Sequence, residues 1–274
     1  TYPLKCMLTP AVRGNAGCYR PFTVTAPEGS ILNPKRPAAV NLRTRTGWYI
    51  APNIFKALAG ASPGAVQSHT GLPTVANVYG TDGQGRLYSD MLFSGGGQGA
   101  SARGDGVSAL LWPTSAANTS IELMESRAPV LVLEKVYAPD SGGPGQFRGG
   151  LGQRVRFRKI AEDGLEMLVS CYPEGVNNPI EGLFGGKPGG AASGRILDPE
   201  GQVTRDVGTG DLLSITGTDQ IVEIVLAGGA GYGPASDRDP AAVSRDLALG
   251  YITPDHARSE YGTAAKQAEE APVK

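Results

Sequence analysis

Glycine clusters fall directly after strand-like apolar runs in this chain, and that pattern restricts its fold more than any other feature. The longest is Pro139-Asp140-Ser141-Gly142-Gly143-Pro144-Gly145-Gln146-Phe147-Arg148-Gly149-Gly150-Leu151-Gly152, with six glycines and two prolines in fourteen residues. Glycine costs backbone entropy in a helix or ladder interior and proline lacks the amide donor, so this stretch is neither. It separates two strand-like runs, Val130 to Tyr137 and Arg154 to Arg158. Glycine this dense between strands implies backbone packed against backbone or against a ligand. The 40 glycines and 21 prolines among 274 residues bring the chain near low-complexity composition. Apolar runs nevertheless persist between the clusters, and the glycines have no three-residue period, which excludes collagen. Polyproline-II-like segments, with glycine wherever they touch, are the expected solution.

The remaining chain reads as α+β and predominantly β. Prolines through residues 1–46 predict extended segments and turns. Pro52 to Ala61 has helical spacing at Ile54, Phe55, Leu58 and Ala61 and stops at Ser62-Pro63-Gly64. Residues 72–93 predict two strands around Thr81-Asp82-Gly83-Gln84-Gly85. Residues 121–138 and 152–172 read as strand-rich, followed by short strands near 194–198, 211–216 and 221–227. Asp239-Pro240 starts one terminal helix that Gly250 ends, and Thr253-Pro254-Asp255 starts a second that ends near Tyr261-Gly262. The expected organisation is a glycine-rich β core over 1–234, a helix pair over 235–262 and a disordered tail over 263–274.

Several function classes are excluded. Twenty-five basic and 26 acidic residues give a net charge of −1, with no basic block, so no nucleic-acid partner is expected. No apolar run reaches membrane-spanning length and no signal peptide is present, so no membrane partner is expected and the location is read as cytoplasmic. Cys6, Cys18 and Cys171 are odd in number and widely spaced, as in a reducing compartment. Neither phosphate-loop nor dinucleotide glycine signatures occur, and Gly185-Gly186-Lys187-Pro188 lacks the required hydroxyl. Asp140-Ser141-Gly142-Gly143-Pro144 copies five letters of a serine-protease nucleophile region, but His69 has no matching histidine setting. Thr1 as an N-terminal nucleophile is disfavoured by Pro3, which interrupts a first strand. With only His69 and His256, neither beside another ligand, no metal is expected on this chain alone.

The remaining polar residues cluster around the glycine runs. Asp105, Glu122, Glu125 and Asp140 are candidate catalytic carboxylates. Gly96, Gly97, Arg103, Asn118 and Arg148 are candidates for holding a small-molecule substrate. The alternative for each is structural: Asp and Asn cap turns, and arginines pair with carboxylates to hold the glycine segments together.

These stretches resemble the C-terminal half of the hydantoinase B/oxoprolinase family. The match is carried by Asn15-Ala16-Gly17, Ala26-Pro27-Glu28-Gly29-Ser30, Gly95 to Ala100 with Asp105-Gly106, and Asn118-Thr119 with Glu122 and Glu125. Asp140-Ser141-Gly142-Gly143 through Arg148-Gly149-Gly150-Leu151-Gly152, Gly228 to Pro234, Arg238-Asp239-Pro240 and Tyr261-Gly262 complete it. The resemblance implies barrel-like mixed sheets running into polyproline-II-like segments. It implies a subunit of an ATP-dependent cyclic-amide hydrolase, with an ATP-dependent ketone carboxylase or a non-catalytic scaffold as alternatives. ATP and Mg would act through an A-type, actin-like ATPase partner. A separate N-terminal half of the B-type subunit, carrying any Zn or Mn, would be the second partner, and the chain would be a split-gene subunit, processed product or fragment.

Overall fold

The computed structural model describes residues 1–41, 43–114, 116–178, 180–262 and 264–266, in two compact units, Thr1–Gln67 and Ser68–Lys274. The first unit contains α1 (Tyr2–Leu8), α2 (Arg43–Trp48) and α3 (Ile50–Leu58). The extended reading of residues 1–46 therefore fails at Tyr2–Leu8. Pro3 sits in the first turn of α1, where its missing N–H has no helical partner to lose. α3 buries Ala51, Pro52 and Phe55 and begins two residues before the predicted helix.

The second unit is built on two facing sheets. The strands are β1 (Thr74–Thr81), β2 (Leu87–Ser94), β3 (Val130–Tyr137), β4 (Gln153–Lys159), β5 (Met167–Tyr172), β6 (Ser193–Leu197), β7 (Val203–Val207), β8 (Leu212–Ile215) and β9 (Ile221–Val225). One sheet has the order β2-β1-β5-β8 and the other β3-β4-β9-β6-β7. Two expectations are corrected here. Every ladder among the described residues is antiparallel, so the sheets are not mixed. The edge strands do not pair with one another, so the sheets remain open and form no closed barrel among those residues.

Alternation along the strands supplies the core. β4 buries Gln153, Val155, Phe157 and Lys159 and leaves Arg154, Arg156 and Arg158 partly exposed. Val155, Phe157, Val222 and Ile224 from one sheet join Val78, Met167, Val169 and Leu213 from the other in a single apolar cluster. The outer face of the five-stranded sheet is ionic, with Arg154 2.5 Å from Glu134 and Arg156 2.6 Å from Glu223. Residues 121–127, read as strand, form helix α4 (Ile121–Arg127). The Ser120 hydroxyl accepts from the Leu123 N–H as its N-cap, and Met124 enters the core.

The strand register explains the glycine clusters. Thr74 pairs with Ser94, Tyr137 with Gln153, Val75 with Tyr172, and Val225 with both Arg154 and Ser193. Seven strand ends thus meet at one end of the two sheets, and glycine-rich chain continues from them. Segment 226–234 is central. Gly97 donates to Ala227 O, Gly143 to Gly229 O, Gly231 to Lys187 O, and Ala230 to His69 O, tying four other segments to it. A Cβ on Gly97 would stand 1.8 Å from Gly150 O, and one on Gly228 1.7 Å from Ser141 O. Only glycine permits that approach.

α5 (Pro240–Ala248) and α6 (Pro254–Tyr261) follow. The Asp239 carboxylate and the Thr253 hydroxyl cap them, and Gly250 takes a left-handed φ of 67°. Val243, Ile252, Ala257 and Tyr261 form their shared core, which also includes Ala264 and Ala265. Residues 263 and 267–274 of the expected tail lie outside the described residues.

Candidate functional site

The carboxylates that looked catalytic in the sequence have structural partners. Asp140 sits at the start of the long glycine crossing with a left-handed φ of 62°. Its carboxylate accepts from the Thr253 N–H at 2.7 Å and the Thr253 hydroxyl at 2.9 Å. Asp140 therefore fastens the crossing to the start of α6.

Asp105 and Arg148 belong to one network. The Arg238 guanidinium donates to both Asp105 oxygens at 2.9 Å, and the Arg148 N–H donates to Asp105 at 2.7 Å. Arg238 and Arg148 also donate to Asp246, at 2.6 and 3.0 Å. Arg148, Arg238 and Asp246 are at most 3% exposed. Arg238 lies 5.5 Å over the Tyr261 ring and Arg148 5.5 Å over the Tyr251 ring. Burial alone would raise the Asp105 carboxyl, but its bonds to Arg238 and to the Arg148 N–H hold it below the usual carboxylate range. Burial pushes the Tyr261 hydroxyl up to about 12.

The sign of the Asp105 shift yields a stability test. Its folded-state value is lowered, so its contribution is present above the unfolded value near ~4 and is lost as pH falls through the folded value. The thermal midpoint should fall as the solution is taken below about pH 4, and Asp105→Asn should flatten that acid limb. An unchanged acid limb in the variant would remove Asp105 from the account.

Glu125 accepts from the Val132 N–H at 2.8 Å, where the β3–β4 register shifts between Val132 and Glu134. It therefore satisfies a bulge that the ladder leaves open. Glu122 is exposed in the first turn of α4 and accepts from the Ser120 hydroxyl at 2.5 Å; that bond lowers its carboxyl. Arg103 is exposed on the turn closed by the reciprocal Ser101–Gly104 bonds. Gly96 and Gly97 are buried against the carbonyls of Gly71 and Gly150, so close packing against backbone accounts for glycine at both positions.

Two grooves remain. One, of about 430 Å³, is lined by Gly104, Asp105, Gln146, Arg238, Asp239 and Arg245, and its central carboxylate is consumed by the ion network. The other, of about 570 Å³, is lined by Ser108, Ala109, Asn118, Lys135, Tyr137 and Gln153, with Val136 beside them. Asn118 is built into its wall: Oδ1 accepts from the Gly95 N–H at 2.8 Å and Gln153 Nε2 at 2.9 Å, and Nδ2 donates to Ala109 O at 3.0 Å. Ala109 is held at a φ of 54°, a strained conformation for a residue with a Cβ and one that gathers at functional sites. Lys135 donates from Nζ to Thr119 O at 2.7 Å. Burial holds its ammonium below the ordinary lysine value, partly offset by Glu122.

Of the sequence candidates, only Asn118 faces this groove. Lys135, Ser108 and Gln153 were missed, although Lys135, next to Glu134, is one of the two charges in the apolar run Val130-Leu131-Val132-Leu133-Glu134-Lys135-Val136-Tyr137. No group of three or more His, Cys, Asp or Glu residues suited to a metal occurs among the described residues. None of the described helices is long and apolar enough to cross a membrane.

Residues 1–235 match the family described as hydantoinase B/oxoprolinase. The chain is 29% identical over 266 residues to the B-type chain of a putative D-/L-hydantoinase of Pseudomonas sp. (strain NS671), covering 93% of this chain and 43% of the relative. It is 30% identical over 271 residues to the beta chain of the caprolactamase of Pseudomonas jessenii, covering 90% of this chain and 44% of that one. The chain thus spans less than half the length of these relatives. In solved structures it resembles a nucleotide-free acetone carboxylase with a TM-score of 0.79 at 20% identity, over 98% of this chain and 43% of the other, a likeness of fold. The chain belongs to the hydantoinase B/oxoprolinase family.

Proposed function

We propose that the chain is one part, the C-terminal half, of the B-type subunit of an ATP-dependent cyclic-amide hydrolase. The observation that carries this reading is the pair of relatives matched along at least 90% of the chain, one from a hydantoinase and one from a caprolactamase. In this reading an actin-like ATPase partner transfers the terminal phosphoryl group of Mg-bound ATP to the amide oxygen, leaving ADP. Water then attacks the carbon of the O-phosphorylated amide, C–N cleavage opens the ring to an acyl phosphate, and a second water releases inorganic phosphate and leaves the free carboxylate. The B-type subunit shields and positions that intermediate, and its N-terminal half holds any Zn or Mn. The glycine segments are polyproline-II-like rods that fix the groove at the sheet end.

A second reading, part of an ATP-dependent ketone carboxylase, is favoured by the fold likeness to acetone carboxylase. A third, a scaffold without catalytic groups, draws on the structural engagement of Asp105, Glu125 and Asp140. Reconstitution with single omissions separates scaffold from enzyme. Hydantoin or 5-oxoproline hydrolysis should need ATP, the ATPase partner and this chain together. A complex that assembles and turns over equally well with this chain left out would end the proposal.

A further inference from the structure

The 570 Å³ groove holds a cation that no carboxylate contacts among the described residues. Lys135 is half-buried on the edge strand β3 and forms no ion pair among the described residues; its only hydrogen bond there is to Thr119 O. Glu122, the carboxylate that acts on it through space, is turned to the Ser120 hydroxyl. An ammonium has three donors, so two remain. Ser108 Oγ accepts from the Leu151 N–H at 3.0 Å, which leaves its own hydrogen to donate. Asn118 Oδ1 is already taken by two donors and does not offer an opposing acceptor. Ala109 and Tyr137 supply apolar lining, and the Tyr137 ring is set edge-on against Tyr251 at 6.1 Å. A partly desolvated ammonium, a second donor and an apolar wall suit a small molecule that is anionic at one end and apolar at the other.

We propose that this groove binds the carboxylate of a small cyclic organic acid, held by Lys135 Nζ and the Ser108 hydroxyl, with the ring against Ala109 and Tyr137. Among cyclic amides this selects acid-bearing rings such as 5-oxoproline over neutral ones such as caprolactam. The proposal rests on the hydrolase reading only for its choice of probe, and the test is a binding measurement without ATP.

Dissociation constants for 5-oxoproline and for caprolactam are measured on the assembled complex by ligand-observed NMR. The acid should bind at least about tenfold more tightly than caprolactam, and Lys135→Met should weaken the acid by about tenfold or more. Lys135→Arg, which keeps the charge, should stay within about threefold of the unsubstituted complex. Should Lys135→Met fail to fold, the unsubstituted complex still decides: acid binding must weaken as salt rises to about 0.3 M. Unchanged binding in Lys135→Met, equal affinity for caprolactam, salt-independent binding, or ready displacement by inorganic phosphate would each overturn the site. A complex that opens amide rings while ignoring Lys135→Met loses the groove and keeps the hydrolase reading. One that binds the acid through Lys135 without hydrolysing amides does the reverse.

Discussion

Gly228→Ala is expected to destabilise the second unit by about 3 kcal/mol or more. The added Cβ would stand 1.7 Å from Ser141 O and 2.3 Å from Ser141 C. Neither segment can retreat cheaply. Ser141 O also accepts from the Gly190 N–H at 2.7 Å, and Gly228 N donates to Gly190 O at 3.1 Å, so three segments would have to move together. Against a total stability of roughly 5–15 kcal/mol, that loss would depopulate the native state at mild denaturant concentrations. Gly83→Ala is the control, because its Cβ would meet nothing nearer than Asp163 Cβ at 3.9 Å; it should change stability by less than about 0.5 kcal/mol. Urea midpoints for the two variants measure the contrast. Equal midpoints would mean that the glycine bundle is not close-packed.

Asp246→Ala should be nearly as damaging for an electrostatic reason. Asp246 is 1% exposed and accepts from both Arg148 and Arg238. Its removal leaves the buried Arg148 guanidinium with only the Gly149 carbonyl as a hydrogen-bond partner among the described residues, and leaves Arg238 with Asp105, which itself is only partly buried. Breaking a buried pair from one side costs about 3–5 kcal/mol, because the remaining charge is desolvated without compensation. The network joins α5 to the glycine crossing and to the 105 segment, so the helix pair should loosen first. Amide exchange in α5 and α6 should therefore rise more than exchange in β4 or β9. Exchange that rises uniformly, or not at all, would contradict this assignment.

The sequence was most legible where local chemistry agreed with tertiary packing. The Asp239-Pro240 and Thr253-Pro254 starts, with Gly250 and Gly262 at the ends, specify both terminal helices almost to the residue. The turn at Asp82 is equally local: its carboxylate accepts from the Gln84 and Arg86 N–H groups and fixes the β1–β2 hairpin. Residues 121–127 were misread because Ile121, Leu123 and Met124 lie just ahead of the apolar run of β3, although Glu125, Ser126, Arg127 and Pro129 separate the two. Ser120 as an N-cap followed by Glu122 was the signal that should have separated them. β7 (Val203–Val207) was missed because four of its five residues are exposed on an edge.

The site was less legible than the fold, since partners distant in sequence decide what a carboxylate does. Arg238 lies 133 residues from Asp105, and Thr253 lies 113 from Asp140, so spacing alone could not show that both carboxylates were occupied. The reverse holds for Lys135. Its groove is closed by Ser108, Asn118 and Gln153 from three other segments, and the sequence marks it only as one of two adjacent charges in a largely apolar strand.

The central claim is that this chain serves cyclic-amide hydrolysis driven by ATP. Its most direct test offers the assembled complex 5-oxoproline, acetone, bicarbonate and Mg-ATP in one vessel and quantifies the products by NMR. The account predicts ring-opened amino acid formed together with ADP, with no carboxylated ketone. Carboxylated acetone formed at the expense of ATP, with the cyclic amide left intact, would contradict it.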